Sequence, residues 1–240
     1  MSDKPAKLEH ALQNPKIRLS APNPQSKGKY ATMQWDIWGN NPRIVVNTND
    51  PAMATPDRGF GRIQAAMETP TFYAFLEMLK EAIAAAPGWK ANLQMWSNPK
   101  GGGGPGVEPV PSADVWVGKD AEGVVFISVV KKEEGWPIIK FPFGAPDRRF
   151  VKVFHSDGSE YSKGDLSVVY AKAYLRLLGE LMAAILTKTY EKPAPFIPGQ
   201  RGGGGGGYGN RGGGGGGGYQ QRSGGGSGGG GDVGGDDLPF

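Results

Sequence analysis

The sequence predicts a mainly β protein with two helices, whose antiparallel strands form a partly open barrel and whose last part is a disordered tail. Three observations support this fold class. Several short segments alternate between apolar and polar residues, as half-buried strands do. Two longer segments carry apolar residues at helical spacing. More than half of the 41 glycines lie in residues 202–235, which have too little apolar surface to offset the entropy lost on folding.

The strand candidates share alternation and are bounded by turn residues. In one of them Met33, Trp35 and Ile37 fall on a single side, which we assign to the core. Residues 39–42 have turn chemistry and join two candidates into a hairpin. In chain order the candidates are residues 17–19, 29–38, 43–48, 89–96, 114–118, 123–130, 137–143 and 150–155.

Both helices have recognisable ends. Thr69 is a cap residue followed by Pro70 at the first helical position, and the pair Pro87-Gly88 ends that helix. Asp165 is expected to cap a long final helix that ends near Glu191. The apolar run of this helix is interrupted by charged residues, which favours a water-soluble helix over a membrane span: Lys172, Arg176 and Glu180.

Short strands with one helix in mid-chain fit an OB-fold-like, partly open antiparallel barrel, extended by the long C-terminal helix. An unrelated β-sandwich with two helices would give much the same pattern, and strand order stays open. The expected division is a partly ordered segment over residues 1–26, a globular domain over 27–198, a disordered glycine-rich linker over 199–231 and an acidic tip over 232–240.

Composition narrows the class of protein. The absence of cysteine excludes disulfides and thiolate sites, and it suits a reducing cytoplasm. The first residues have no apolar segment of the secretory kind, so a cytoplasmic location is expected. The net charge of +4 is mild, and arginines precede aspartates within the tail, so the chain finishes in a local anion.

Enzyme chemistry finds little support. His10 and His155 are the two histidines, and neither has a neighbour at metal-ligand or catalytic-triad spacing. The glycines of residues 101–106 lack the Lys-Ser/Thr that a phosphate-binding loop requires. Glu133-Glu134 is more typical of solvated charge than of a nuclease metal site. We therefore expect a protein that is not an enzyme and has no cofactor or metal.

Nucleic-acid binding has broader support, because proteins that bind single strands combine basic grooves with aromatic platforms. Several aromatic residues lie on the polar side of their strands, and basic residues are near them in sequence. In residues 58–62 two arginines flank a phenylalanine between glycines, which offers charge, a stacking ring and close backbone approach. The candidate DNA-binding residues are Tyr30, Trp38, Arg43, Arg58, Phe60, Arg62, Lys90, Trp96, Trp116, Lys119, Lys131, Lys132 and Trp136.

The last five residues carry a resemblance to a known family. Asp236, Asp237, Leu238, Pro239 and Phe240 resemble the acidic tip, ending in Pro-Phe, of bacterial single-stranded DNA-binding proteins. The glycine-rich spacer before them has the same placement as in that family. The folded part is longer than the bacterial domain and is more similar to the diverged proteins that tailed bacteriophages encode for the same task.

The resemblance implies a function and partners. The domain would bind and protect single-stranded DNA with little sequence preference during replication, recombination and repair. Pro239 and Phe240 would enter an apolar pocket of a polymerase, primase or helicase, while the acidic groups meet basic residues at its rim. Two alternatives stay open: a glycine-rich RNA-binding protein, suggested by Arg201, Tyr208 and Arg211, and a scaffold protein that is not an enzyme.

Overall fold

The computed structural model describes residues 10–55, 59–97, 108–144 and 152–190. Within these residues the chain forms ten strands and two α-helices, with three short 3-10 helices at Ala11–Gln13, Pro15–Ile17 and Pro51–Met53. The strands are β1 (Leu19–Pro22), β2 (Tyr30–Trp38), β3 (Asn41–Asn47), β4 (Ala54–Thr55), β5 (Gly59–Phe60), β6 (Arg62–Ala66), β7 (Lys90–Ser97), β8 (Val110–Lys119), β9 (Val125–Lys131) and β10 (Ile139–Pro142), and the helices are α1 (Thr69–Ala84) and α2 (Lys163–Lys188).

The strands form two antiparallel sheets of four strands and one small hairpin. The first sheet has the order β1-β2-β3-β6, the second has the order β10-β9-β8-β7, and β4 pairs with β5. Apart from that hairpin, the order of four strands followed by a helix occurs twice along the chain. The predicted fold class, mainly β with two helices and a partly open antiparallel arrangement of strands, is confirmed, and the strands form two sheets that do not close into one barrel. The strand order that the sequence left open is a simple meander in each sheet.

One hydrophobic core lies between the inner sides of both sheets and the two helices. Trp35 of β2 is near its centre, only 2% exposed, with its ring centroid 5.2 Å from Phe72 and 5.3 Å from Phe75 of α1. Tyr174 of α2 packs against the same core. Burial raises the pKa of Tyr174, and the Trp35 indole opposes that rise. Trp35 therefore ties the first sheet to both helices.

Local chemistry explains where the elements begin and end. Gly39 and Asn40 have positive φ angles of 52° and 65°, as a two-residue hairpin turn between β2 and β3 requires. Ser162 is the N-cap of α2: its Oγ accepts a bond from the backbone N–H of Asp165 and donates one to the Asp165 carboxylate. Asp165 is thus inside the first turn of α2 and is not its cap, contrary to the prediction.

Four further expectations differ from the structure. Thr69 is the first residue of α1 and not its cap, a position that Glu68 occupies. The strand β6 was not predicted, because it has only five residues and directly follows a loop, although these residues alternate in burial. Ile17 belongs to a 3-10 helix, and β1 begins two residues later at Leu19. In the segment expected to be a strand over residues 150–155, the structure describes residues 152–155 and shows a single isolated bridge between Phe154 and Glu160.

Some sequence expectations lie outside the described residues. These are the glycine loop of residues 101–106, the linker of residues 199–231 and the acidic tip of residues 232–240. Among the helices that the structure does describe, none is long and apolar enough to cross a bilayer.

Candidate nucleic-acid interface

One side of the first sheet faces the core, and we call the other side the first outer face. Its side chains alternate along β2, β3 and β6 with those that face the core, and three of them near the middle of the face, Asp36, Arg43 and Val45, are buried. Strand register places Thr32, Asn47 and Arg62 side by side, and Gln34 and Gln64 on either side of Val45. The members of the first outer face are Tyr30, Thr32, Gln34, Asp36, Trp38, Asn41, Arg43, Val45, Asn47, Arg62, Gln64 and Ala66.

Two predicted stacking rings lie at opposite ends of β2 on this face. Tyr30 is 51% exposed and Trp38 is 57% exposed, whereas Trp35 between them is buried. Eight residues of extended strand separate the two rings by roughly 26 Å. Their exposure agrees with the alternation that assigned Trp35 to the core. Large exposed rings at fixed strand positions offer flat surfaces on which unpaired bases can stack.

Phe60 has a fixed backbone and an exposed ring. Its carbonyl oxygen accepts hydrogen bonds from the Thr48 hydroxyl at 2.6 Å and from the Asp50 backbone N–H at 3.1 Å. The ring is 58% exposed, two residues before Arg62 at the end of the first sheet. Phe60 therefore extends the set of exposed rings at this end.

Gly61 has a different role from the one predicted. Its φ is +80°, and a Cβ there would lie 2.5 Å from the Thr48 hydroxyl and 2.8 Å from Cβ of Met53. The space beside this glycine is filled by the protein itself and is not open to a phosphate. Gly61 fixes the chain between β5 and β6, and so it positions Phe60 and Arg62.

Arg43 is buried in an ion pair and supports Trp38. Its guanidinium donates to the Asp36 carboxylate at 2.5 Å, and the two side chains are 7% and 2% exposed. A second guanidinium nitrogen donates to Gln64 at 3.2 Å. The guanidinium carbon also lies 5.1 Å from the centre of the Trp38 ring, in cation–π geometry. Arg43, predicted to contact DNA, is therefore occupied within the protein and holds the ring of Trp38.

Arg62 makes no ion pair within the residues that the structure describes, and Asp36, the carboxylate that acts on it, is paired with Arg43. Partial burial lowers the pKa of Arg62, the Arg43 guanidinium lowers it further, and Asp36 opposes the shift. In the part of the chain that the structure describes, the buried Nε of Arg62 has no hydrogen-bond partner. The same holds for the buried amide oxygen of Gln34 on β2, two strands away. A phosphate at Arg62 would supply a negative charge and accept its N–H groups.

The second sheet brings together a separate group of predicted residues. Trp116 lies on the side of β8 that faces away from the core, with Asn92 and Ser128 beside it in register. Lys90 begins β7 and is exposed. Trp96, which is 58% exposed, follows the register shift near the end of β7. None of these three predicted residues belongs to the first sheet.

Four other predicted residues are occupied within the protein. The Lys119 ammonium donates to the carbonyl oxygens of Ile83 at 3.0 Å and Ala85 at 2.8 Å, so it caps the C-terminal end of α1. Lys119 thus has a structural role. Its position at the end of a predicted strand had suggested an exposed side chain. At the end of β9, Lys131 pairs with Glu133 and lies 3.8 Å from the ring centre of Trp136, and the next residue, Lys132, pairs with the buried Asp114.

Two residues on the outer sides of the sheets, Gln64 and Lys140, were not predicted from the sequence as candidate site residues. Gln64 was missed because β6 was not predicted. Lys140 could have been found, since it alternates with Ile139 and Phe141 in a strand that was predicted. The structure does not describe Arg58 or the tip residues, so their predicted roles lie outside the described ranges.

The two histidines lie apart from each other. His10 Nε2 is 3.3 Å from the Asp36 carboxylate, and the ring of His155 stacks on Tyr161 at 3.9 Å. Across residues 10–55, 59–97, 108–144 and 152–190, no three histidine or carboxylate side chains come together in a way that could hold a metal ion.

Comparisons with protein-family models, with curated proteins and with solved structures find no match to this chain. What the protein does is therefore inferred from its own residues.

The Asp36–Arg43 pair gives a prediction about stability. Replacing Asp36 by Asn leaves the Arg43 charge buried without compensation and close to Arg62, so we expect the free energy of unfolding to fall by about 3–5 kcal/mol. Urea unfolding measures this loss. The double variant Asp36→Leu with Arg43→Met removes both charges and should be more stable than Asp36→Asn alone. Glu77→Gln, in an exposed pair with Lys80, is the matched control and should change little. Equal midpoints for Asp36→Asn and the parent would contradict a structural role.

Proposed function

We propose that this protein binds single-stranded nucleic acid, with DNA as its ligand, along the first outer face and with little sequence preference. The observation that carries the proposal is a set of three exposed rings, Tyr30, Trp38 and Phe60. Arg62 adds a half-buried cation that makes no ion pair within the residues that the structure describes. Bases stacking on such rings contribute about 1–3 kcal/mol each, whatever their identity, and the phosphate would meet Arg62.

The geometry favours single strands over a duplex. In a duplex the bases are stacked on each other and their faces are not accessible to protein rings. No helix of the first outer face is available to enter a major groove, since the described part of this face consists of strands. The rings at the two ends of β2 are far enough apart to contact different nucleotides of one strand, within the site sizes of about 4–16 nucleotides known for sheet-based binders.

Two features support DNA as the ligand and replication as the context. The acidic segment ending in Leu238-Pro239-Phe240 resembles the tip with which bacterial single-stranded DNA-binding proteins recruit replication proteins. The glycine-rich spacer before it would let this segment reach a partner while the domain stays on the strand. We propose that the tip recruits a polymerase, primase or helicase in the same way.

The rings provide the first test. Trp38→Ala and Phe60→Ala should each weaken binding to oligo-dT by about 1–3 kcal/mol, because each removes one stacking surface. Fluorescence anisotropy of labelled oligo-dT measures the affinity, and thermal unfolding checks that each variant is folded. Phe154→Ala is the matched control, because this ring is 53% exposed but lies on an isolated bridge outside both sheets.

The same titrations decide between ligands. Oligo-dT, the equivalent RNA and a duplex are compared at one salt concentration. Preference for RNA would favour the alternative of a glycine-rich RNA-binding protein, and no binding to any of them would favour a scaffold. Equal weakening by Phe154→Ala would show that the loss of affinity does not depend on where the ring lies, and it would contradict binding along the first outer face.

Arg62 and Arg43 should differ in the salt dependence of binding. Arg62→Gln should reduce the slope of log affinity against log salt by about 1, because one phosphate contact and its released counterion are lost. Arg43→Met combined with Asp36→Leu, which removes the buried pair without leaving an unpaired charge, should weaken binding through the Trp38 ring and leave that slope unchanged. Arg176→Gln, on the exposed side of α2, is the control for a general loss of positive charge. A change of slope for the double variant, with none for Arg62→Gln, would reverse the two assignments.

Removing residues 232–240 should tighten oligo-dT binding a few-fold at low salt and abolish binding to replication partners. By the scaling for glycine-rich chains, a spacer of 33 residues would span roughly 30–35 Å, and the acidic tip would then be near the domain at a concentration on the order of millimolar. Its three aspartates and Phe240 would compete there for cations and stacking rings. Screening over about 8–10 Å at ordinary ionic strength should remove the effect at higher salt.

The control for the tip deletion is removal of the seven glycines of residues 212–218. This control shortens the chain by a similar number of residues and removes no charge. This variant should bind oligo-dT as the parent does. If the tip deletion binds no better at low salt and keeps its partners, the tip has neither role.

A further inference from the structure

The second sheet has an outer face of its own, which we call the second outer face. Register across its four strands places Asn92, Trp116, Ser128 and Lys140 in one row. The next row holds Lys90, Gly118, Phe126 and Pro142. Each row crosses the whole sheet. A ring, an amide and two lysines thus lie on one surface, whereas the first outer face combines rings and amides with arginines.

The charges of this face favour an anion. Asp114 is its one buried carboxylate in the described part of the sheet, and Lys132 neutralises it. Lys90 and Lys140 are exposed and make no ion pair within the residues that the structure describes. The second outer face is therefore positive overall, with its two free lysines on the two outermost strands.

The surface next to Lys140 is built by close packing. A Cβ at Gly118 would lie 2.8 Å from the tip of the Phe126 ring, so this ring lies directly against the glycine. The Lys140 ammonium is 5.2 Å from the centre of the same ring. The lysine thus lies over the Phe126 ring, and within the residues that the structure describes it has no carboxylate partner. Its ammonium is available to a ligand.

The two outer faces are distinct surfaces. The inner residues of both sheets line the same core, so both outer faces point away from that core. The faces share no residue, because one belongs to β1-β2-β3-β6 and the other to β10-β9-β8-β7. A strand lying on one face leaves the rings and cations of the other accessible.

We propose that the second outer face is a second binding surface for single-stranded nucleic acid, so that one chain holds two strand segments at the same time. Trp116 is its stacking ring, and Lys90 and Lys140 contact phosphates. Asn92 lies beside the ring within reach of a base edge. The proposal rests on the proposed function of the first outer face, and it adds that a single molecule brings two strands together.

Native mass spectrometry with short oligo-dT tests the proposal. An oligonucleotide of about six residues is near the lower end of known site sizes, and it is too short to cover both faces. The full-length protein should bind two copies per chain. Trp116→Ala with Lys140→Gln should bind one copy, and Trp38→Ala with Arg62→Gln should also bind one. All four substitutions together should bind none.

A second variant covers the case in which Trp116→Ala fails to fold, since Trp116 is half-buried. Lys90→Gln with Lys140→Gln changes exposed side chains only, and it should weaken the second binding step at least ten-fold while the first is unchanged. Lys172→Gln with Lys188→Gln, two exposed lysines of α2, is the matched control and should retain two copies.

A capture experiment tests the consequence. Oligo-dT on beads should retain a second, labelled oligo-dT only when the parent protein is present, and the Lys90/Lys140 variant should lose this bridging. Both oligonucleotides are dT, so base pairing does not contribute. Bridging that persists in the variant would arise from association between protein molecules and would overturn the proposal. One copy bound by parent and variant alike would overturn it too, while no binding by the parent would overturn the proposed function itself.

Discussion

The burial of Trp35 is the constraint on which the rest of the structure depends. Its ring packs against Phe72 and Phe75 of α1 and lies beside Tyr174 of α2, so β2 has a single register relative to the helices. Because side chains alternate along a strand, this register directs Tyr30 and Trp38 outward. A shift of one residue would bury the two exposed rings and expose the core. The same contact thus determines both stability and the candidate interface.

The first outer face combines charges that serve different purposes. The Asp36 carboxylate and the Arg43 guanidinium neutralise each other below the surface, and Arg43 holds the Trp38 ring from beneath. Arg62 lies nearby, makes no ion pair within the described part of the chain and is available to a ligand. A buried pair of this kind contributes little net stability but gives a side chain one position. Rigid support beneath an exposed ring reduces the entropy that binding would cost.

Alternation and turn chemistry were sufficient to predict much of this structure. They placed Trp35 in the core and predicted exposed positions for Tyr30, Trp38 and Trp96. They also located the hairpin turn at residues 39–42. What they could not give depends on contacts between distant residues. Lys119 reads as a free basic residue in sequence, and it is satisfied by the end of α1, more than thirty residues earlier. The partners of Arg43 and the pairing of β6 with β3 likewise depend on contacts between separate segments. The local sequence pattern carries no information about such contacts.

The repeated order of four strands and a helix has a consequence for how the chain folds. Within each sheet most strands pair with a neighbour in sequence, so few long loops must close before the pairs form. The first sheet and α1 are complete by residue 84, and Phe72 and Phe75 are then already present to bury Trp35. During synthesis on the ribosome, the first half can therefore begin to fold before β7 has emerged. The second half would then add its strands to a surface that already exists.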